Sequence, residues 1–307
     1  MSASKESARR LSVADLARMR ADGERIAMLT AYDYPTARLL DEAGIPLLLV
    51  GDSVGTNVLG YDSEARVTME DMLHHVAAVV RGTARALVVA DMPFLSYASP
   101  AQAIDNAGRF IQDAGAQAVK VEGGVRTARV VEALTKAGIA VMGHIGWTPQ
   151  AKEALGGKVR VQGKSADRAR SLLADAHAIE EAGAFSIVLE LLPEQLATAI
   201  TERLQIPTIG IGAGPGCSGQ VQIVTDLLGM TDWHPKHARP YANLRDTILD
   251  AARRYAADVA AGTLPGPAET VRMDDAVLDE VLGRSAQDRG SASSGAQAAG
   301  IPLDRDL

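Results

Sequence analysis

The sequence predicts an α/β chain folded as a single-domain (β/α)8 TIM barrel, with a C-terminal tail that is disordered or loosely docked. Three observations carry this. Short apolar, β-branched runs recur eight times, each followed by a helix signal. The runs are continuously apolar rather than alternating, as parallel strands buried on both faces are. The eight units occupy about 240 residues, the span of one barrel rather than of two domains. A doubly wound open sheet is the competing arrangement, and it usually has fewer strands.

Taken in order, residues 1–24 read as a polar, helix-friendly N-terminal arm, loose or forming one short helix. The barrel domain follows at 25–264. Its strands are read at RIAMLTAYD (25–33), IPLLLVGDS (45–53), ALVVADMP (86–93) and AVKVEGG (118–124). The remaining four are AVMGHIG (140–146), SIVLELL (186–192), PTIGIGAG (207–214) and QVQIVTDLLG (220–229). Between them, Thr68 and Asp71 form a capping-box pair. Ser99, Pro100 and Gln102 supply a cap, a proline in the first turn and a reciprocal amide. Segment 165–182 puts Leu172, Leu173, Ala176, Ile179 and Ala182 on one helical face. Segment 241–261 does the same with Leu244, Ile248, Ala251, Tyr255 and Val259. The extension 265–307 has a short amphipathic piece near 271–282. From about 285 its Ser/Gly/Ala-rich composition buries too little apolar surface to offset ordering, so disorder or weak docking is expected.

Composition removes several function classes. A net charge of −7 argues against a nucleic-acid binder, which needs a basic face to release counterions. Aromatics at 4% argue against a base-stacking platform. The single cysteine, Cys217, excludes an intrachain disulfide framework and a cysteine-rich zinc site, and fits a reducing compartment. No run approaches the ~20 apolar residues of a membrane span. The N-terminal stretch has no apolar signal-peptide core. A cytoplasmic protein is the expectation.

The strand ends carry the chemistry. In a barrel of this class the active site lies at the C-terminal ends of the strands. Those ends are polar here: Tyr32-Asp33, Asp52-Ser53, Asp91, the Lys120 and Glu122 pair two apart on one side of a strand, His144 and Glu190. Asp52, Asp91 and Glu122 on one rim would repel, and a divalent cation removes the conflict. All-oxygen ligands select a hard ion, magnesium first. Each acid taken singly has an ordinary reading as a helix cap or ion pair. Glu190 stands between Leu189 and Leu191, so it is either paired with a cation or left with a raised pKa, as suits a general base. A salt bridge to Lys120 is its structural alternative. Lys120 can equally hold a substrate carboxylate.

Other features are discounted. Gly214-Pro-Gly216-Cys-Ser-Gly219 matches GxGxxG in form, but it comes late, contains Pro215 and lacks the acid that should follow ~20 residues on. It reads as a ligand-approach loop. His74, His75 and His177 fall in predicted helices as ordinary residues, and Cys217 as a non-catalytic loop residue. His144 alone stands at a strand end, where catalysis and second-layer hydrogen bonding are equally open.

The motifs TAYDYPTA (30–37), LLVGDSVG (48–55), VTMEDMLHHVAAVVRG (67–82), VADMPFLSY (89–97), VKVEGG (119–124), GHIGWTPQ (143–150), VQGK (161–164), LELLP (189–193) and PTIGIGAG (207–214) occur in this order. Together they resemble the ketopantoate hydroxymethyltransferase (3-methyl-2-oxobutanoate hydroxymethyltransferase) family over about residues 24–265. The resemblance implies transfer of a one-carbon unit from 5,10-methylenetetrahydrofolate to 3-methyl-2-oxobutanoate, giving 2-dehydropantoate through an enolate stabilised by Mg2+. Carried over by position, Asp52, Asp91 and Glu122 match the metal-binding acids. Ser53 and Lys120, with Asp52 and Asp91, match the groups that hold the oxo acid. Glu190 matches the proton acceptor, and His144 and Tyr32 match further substrate-site positions. A homodecamer is also implied. Ser218 and His237 depart from the family's usual Asp and Phe, and the tail is longer than in compact members. The competing readings are a metal-dependent 2-oxo acid lyase or mutase of the phosphoenolpyruvate mutase and isocitrate lyase type, whose catalytic-cysteine loop is missing here, and a non-catalytic oxo-acid or folate-binding barrel.

Overall fold

A computed structural model describes residues 9–283 of the chain. Eight parallel strands close into a barrel in sequence order: β1 Ile26–Thr30, β2 Leu47–Val50, β3 Leu87–Asp91, β4 Ala118–Glu122, β5 Val141–Gly146, β6 Ser186–Glu190, β7 Thr208–Ile211 and β8 Gly219–Gln222. The β1–β8 pairing closes the ring through Met28 and Val221. The predicted fold class holds.

The helices lie where the caps place them. They are α1 Val13–Ala21, α2 Tyr34–Glu42, α3 Val54–Asn57, α4 Met69–Gly82, α5 Pro100–Gln112, α6 Ala128–Lys136, α7 Ala166–Glu181, α8 Glu194–Arg203, α9 Val224–Leu227, α10 Leu244–Ala260 and α11 Asp275–Leu282. The capping box of α4 forms, with Thr68 and Asp71 each bonding the other's backbone N–H. Ser99 accepts from Gln102 N at the start of α5. Leu172, Ala176 and Ile179 of α7 are buried, as their spacing requires.

Two details differ from the sequence reading. The last run does not stay extended to residue 229. Its ladder ends at Gln222, where Val224 N turns to donate to Thr30 Oγ1 and α9 begins. No helix separates β7 from β8, because residues 212–218 (GAGPGCS) are rich in glycine and carry a proline, both poor helix formers.

Strand residues alternate between two apolar layers. Leu47, Leu49, Leu87, Val89, Met142 and Val188 fill the barrel interior. Leu48, Val50, Val88, Val119, Val121 and Ile187 pack outward under the helices. The described part of the arm closes the barrel floor. Leu16 of α1 is buried in the interior cluster, worth roughly 1.5–3 kcal/mol. Arg10 donates to Thr83 and Ala86 carbonyls ahead of β3, and Arg20 to Ile206 O ahead of β7. With its floor packed, the barrel's open cavity lies at the strands' C-terminal ends.

The chain divides into two compact units, one through Arg245 and one from Asp246 onward. The first contains the barrel and the site described below. In the second, Ile248, Tyr255 and Val259 of the predicted α10 stripe are exposed. Residues 271–282, read as a short amphipathic piece, contain α11. The expectation of disorder from about 285 falls outside the described residues. Among the described residues, no helix is long and apolar enough to cross a membrane.

Candidate active site

A cavity of about 880 Å³ opens at the C-terminal ends of the strands. Asp52, Ser53, Asp91, Lys120, Glu122, His144 and Glu190 all line it. Tyr32, the remaining residue singled out from the sequence, lies just behind. Its hydroxyl is 2.9 Å from Ser53 Oγ, and His75 Nδ1 donates to its carbonyl at 2.6 Å. Thus His75, an ordinary helix residue by sequence, anchors the end of β1.

Strand register brings the polar groups together. Asp91 closes β3 beside Lys120 of β4, and Glu122 of β4 pairs with His144 of β5. Lys120 and Glu122 share the interior face because Val119 and Val121 point into the outer layer. Lys120 Nζ lies 2.7 Å from Asp91 Oδ1. The Asp52 backbone N–H donates to Asp91 Oδ2 at 3.0 Å. His144 bridges two acids: Nδ1 is 3.2 Å from Glu122 Oε1, and Nε2 is 3.1 Å from Glu190 Oε2. The second contact lacks the alignment of a full hydrogen bond. Glu190 pairs with His144, while the ion pair of Lys120 is to Asp91.

The end of β6 is backbone-strained. Leu191, directly after Glu190, adopts φ +50, a conformation uncommon for a residue with a side chain. Hydrogen bonds hold it there, from Leu191 N to Ile211 O and from Gln162 N to Leu191 O. Gly212 makes room, since a Cβ at that position would fall 2.6 Å from Leu191 Cδ2.

The electrostatics follow from burial. Asp52, Asp91, Glu122 and Glu190 share the cavity with Lys120 and His144, and Lys152, Lys236 and His237 also line it. Burial, then the charges of Asp91 and Glu122, push Asp52 well above the usual carboxylate range. Burial also raises Asp91, with Lys120 opposing. Burial would raise Glu122, but His144 and Lys120 outweigh it and hold this acid below its ordinary value. For Lys120, burial works against the charge, yet Asp91, Glu122 and Asp52 keep it cationic with a raised pKa. Burial and Lys120 oppose protonation of His144, but Glu122 and Glu190 push it up to about 9. A protonated His144 donates Nδ1–H to Glu122, so the 3.2 Å approach of Lys120 Nζ is a like-charge contact tolerated among surplus acids.

That surplus suits a hard divalent cation. Asp52 and Asp91 present buried carboxylate oxygens, and both are raised by an environment that disfavours their charge. Among the described residues, no three acid, histidine or cysteine side chains already close on one point. Lys120 stands against Asp91, Gln150 Nε2 donates to Asp52 Oδ2 at 2.8 Å, and Glu122 accepts from Gln150 N at 3.2 Å. The donor chemistry fits the ion, and the protein's own donors cover the oxygens.

Sequence reasoning missed part of the wall. Gln150, Trp147 and Tyr97 lie in the quoted motifs, yet none belongs to a spacing pattern that signals chemistry. Trp147 and, from the loop after α9, Trp233 and His237 line the cavity. Cys217 does not line it. Its thiol is buried in the outer apolar layer, and burial pushes its pKa up.

Comparison with known proteins agrees with this architecture. Two solved structures share the fold: a phosphoenolpyruvate phosphomutase from Streptomyces platensis subsp. rosaceus and a phosphonopyruvate hydrolase in complex with oxalate and Mg++. The first has a TM-score of 0.56 at 16% identity, covering 91% of this chain and 97% of the other. The second has a TM-score of 0.55 at 14% identity, with the same two coverages of 91% and 97%. At such identities the likeness speaks for the fold alone. Sequence relatives are much nearer. A 3-methyl-2-oxobutanoate hydroxymethyltransferase of Chloroflexus aurantiacus is 58% identical over 279 residues, 91% of this chain and 99% of that protein. One of Dehalococcoides mccartyi is 56% identical over 274 residues, 89% of this chain and 98% of that protein. A family model described as ketopantoate hydroxymethyltransferase matches residues 10–267, the whole barrel and its floor helix. The chain therefore belongs to the ketopantoate hydroxymethyltransferase family.

Proposed function

We propose that this chain transfers a hydroxymethyl group from 5,10-methylenetetrahydrofolate to 3-methyl-2-oxobutanoate, giving 2-dehydropantoate. Beyond family membership, one observation carries the reading. A single cavity presents an anion-binding lysine, paired aspartates and, on the far side of His144, a carboxylate open to the substrate space.

Asp52, Asp91 and Glu122 would hold Mg2+, and when bound that ion supplies Lewis-acid polarisation of the keto oxygen. The chain's own groups do the rest. Lys120 is ion-paired with Asp91 and has N–H donors for the oxo acid's carboxylate. Ser53 Oγ, oriented by the Tyr32 hydroxyl, is a second donor at the same place. Glu190 takes the proton from C3 of the oxo acid. Its side chain is 17% exposed, enough to reach a ligand while its backbone stays fixed. His144 steers Glu190 from one ring nitrogen while Glu122 holds the other. Water supplies the hydroxyl oxygen: hydrolysis of the methylene bridge breaks both C–N bonds and releases tetrahydrofolate and a formaldehyde unit. The carbon nucleophile adds to that carbon, and the alkoxide formed takes the proton that Glu190 removed. Homodecameric assembly and a cytoplasmic location are proposed with this reading on the strength of the resemblance.

The test is C3 deuterium exchange of 3-methyl-2-oxobutanoate in D2O with Mg2+ and no folate. Wild type is expected to exchange, and Glu190→Gln to lose at least 10²-fold while remaining folded. Undiminished exchange in Glu190→Gln removes it from the base role. A wild type that never exchanges points instead to the lyase or mutase reading, or to a non-catalytic binder.

A further inference from the structure

Gln150 sits at the centre of the acid cluster without being an acid. It is buried. Its backbone N–H donates to Glu122 Oε2 at 3.2 Å. Its side-chain Nε2 donates to Asp52 Oδ2 at 2.8 Å and to Met92 O at 2.9 Å. Its Oε1 accepts from the Tyr97 hydroxyl. One residue from the loop after β5 therefore fastens an acid that follows β2 to an acid on β4.

Neighbours fix which way the amide faces. Met92 O can only accept, so Nε2 must face it, and the same NH2 group then meets Asp52 Oδ2. Tyr97 secures the other end, because its hydroxyl is half-buried beside Glu122 and stays a donor. A flipped amide would set Oε1 against the Met92 carbonyl and lose the Tyr97 bond.

The choice of a neutral donor matters. Asp91 is already matched by the charge of Lys120. A second lysine on Asp52 would cancel the charge a cation needs. An amide orients Asp52, commits one oxygen to the protein and leaves the carboxylate's full charge in place.

We propose that Gln150, locked by Tyr97, is a positioning residue that sets Asp52 and Glu122 for binding a divalent cation; the inference rests on the cation reading above. The probe is Mn2+ alone, titrated into the full chain by calorimetry, with thermal unfolding of the metal-free protein as the structural control. Gln150→Leu keeps most of the volume and removes every side-chain hydrogen bond. Its Mn2+ Kd is expected to rise at least tenfold, as outer-layer partners of metal sites usually require. Its Mg2+ activation curve for deuterium exchange should move to higher concentration and recover at saturation. Tyr97→Phe should weaken Mn2+ in the same direction, about threefold, because the amide loses one anchor. If Gln150→Leu does not fold, Tyr97→Phe carries the comparison. Variants that bind Mn2+ as wild type does, with or without a lower unfolding temperature, overturn the inference while the cation reading stands. A wild type that binds no Mn2+ overturns both.

Discussion

A cluster of buried carboxylates holds together only if cations stand among its members, and Lys120 and His144 stand where strand register puts them. His144 is the more informative. Its pKa rises from the ordinary 6.5 to about 9 because Glu122 and Glu190 outweigh burial and Lys120. A group whose folded pKa exceeds its unfolded value stabilises the fold fully below the unfolded value, and that contribution is lost as pH rises through the folded one. Metal-free protein should therefore lose stability between about pH 6.5 and 9. His144→Gln should flatten that slope in urea titrations run in chelator. An unchanged slope assigns the loss to other groups. Among residues, the sequence showed the titratable ones by their positions at strand ends. It did not show Gln150 or Tyr97, because a neutral donor announces itself only through what it touches.

At the scale of elements, the end of β6 decides where the base sits. Glu190 O accepts from Trp147 N at 2.9 Å, and a Cβ at Gly146 would fall 2.2 Å from that same oxygen. Gly146 also has φ +100, so it admits both the turn and the close approach. Gly146→Ala should push the β6 end away and cut turnover at least tenfold, because small displacements of a catalytic group are costly. Gly138→Ala is the matched control. It has φ +87 but nothing within 4 Å of its added Cβ, so it should lose about 1 kcal/mol of stability and keep turnover. Steady-state rates and thermal unfolding of both variants separate geometry from strain. Equal losses of turnover would show that the β6 contact is not the cause. The strands themselves were legible as continuous apolar runs. The last was read too long because Ile223-Val-Thr suits a strand by composition, whereas the Val224 bond to Thr30 turns it into a helix.

For the barrel as a whole, a floor packed by α1 and a cavity lined by eight acids against three lysines make the C-terminal end of the strands a receptor for positive charge. A cation that binds the folded state alone stabilises it by mass action. At a hundredfold excess over Kd the gain is about 2.7 kcal/mol, and for a chain of this length roughly 4–5 °C in unfolding temperature. Mg2+ should produce that shift and K+ at equal ionic strength should not. Asp52→Asn combined with Asp91→Asn should abolish it. A shift that survives both substitutions places the ion elsewhere.

What the sequence settled by itself was local or periodic. Apolar runs of strand length, caps at helix starts and an acidic or basic residue at the ends of six strands are written along the chain, and they were sufficient for the barrel and for the members of the cluster. Which acid meets which cation was decided by closure. A parallel ring with this stagger sets Lys120 against Asp91 and His144 between Glu122 and Glu190. The energy of a buried charge depends on neighbours a few ångströms away in space, and those neighbours lie tens of residues away along the chain.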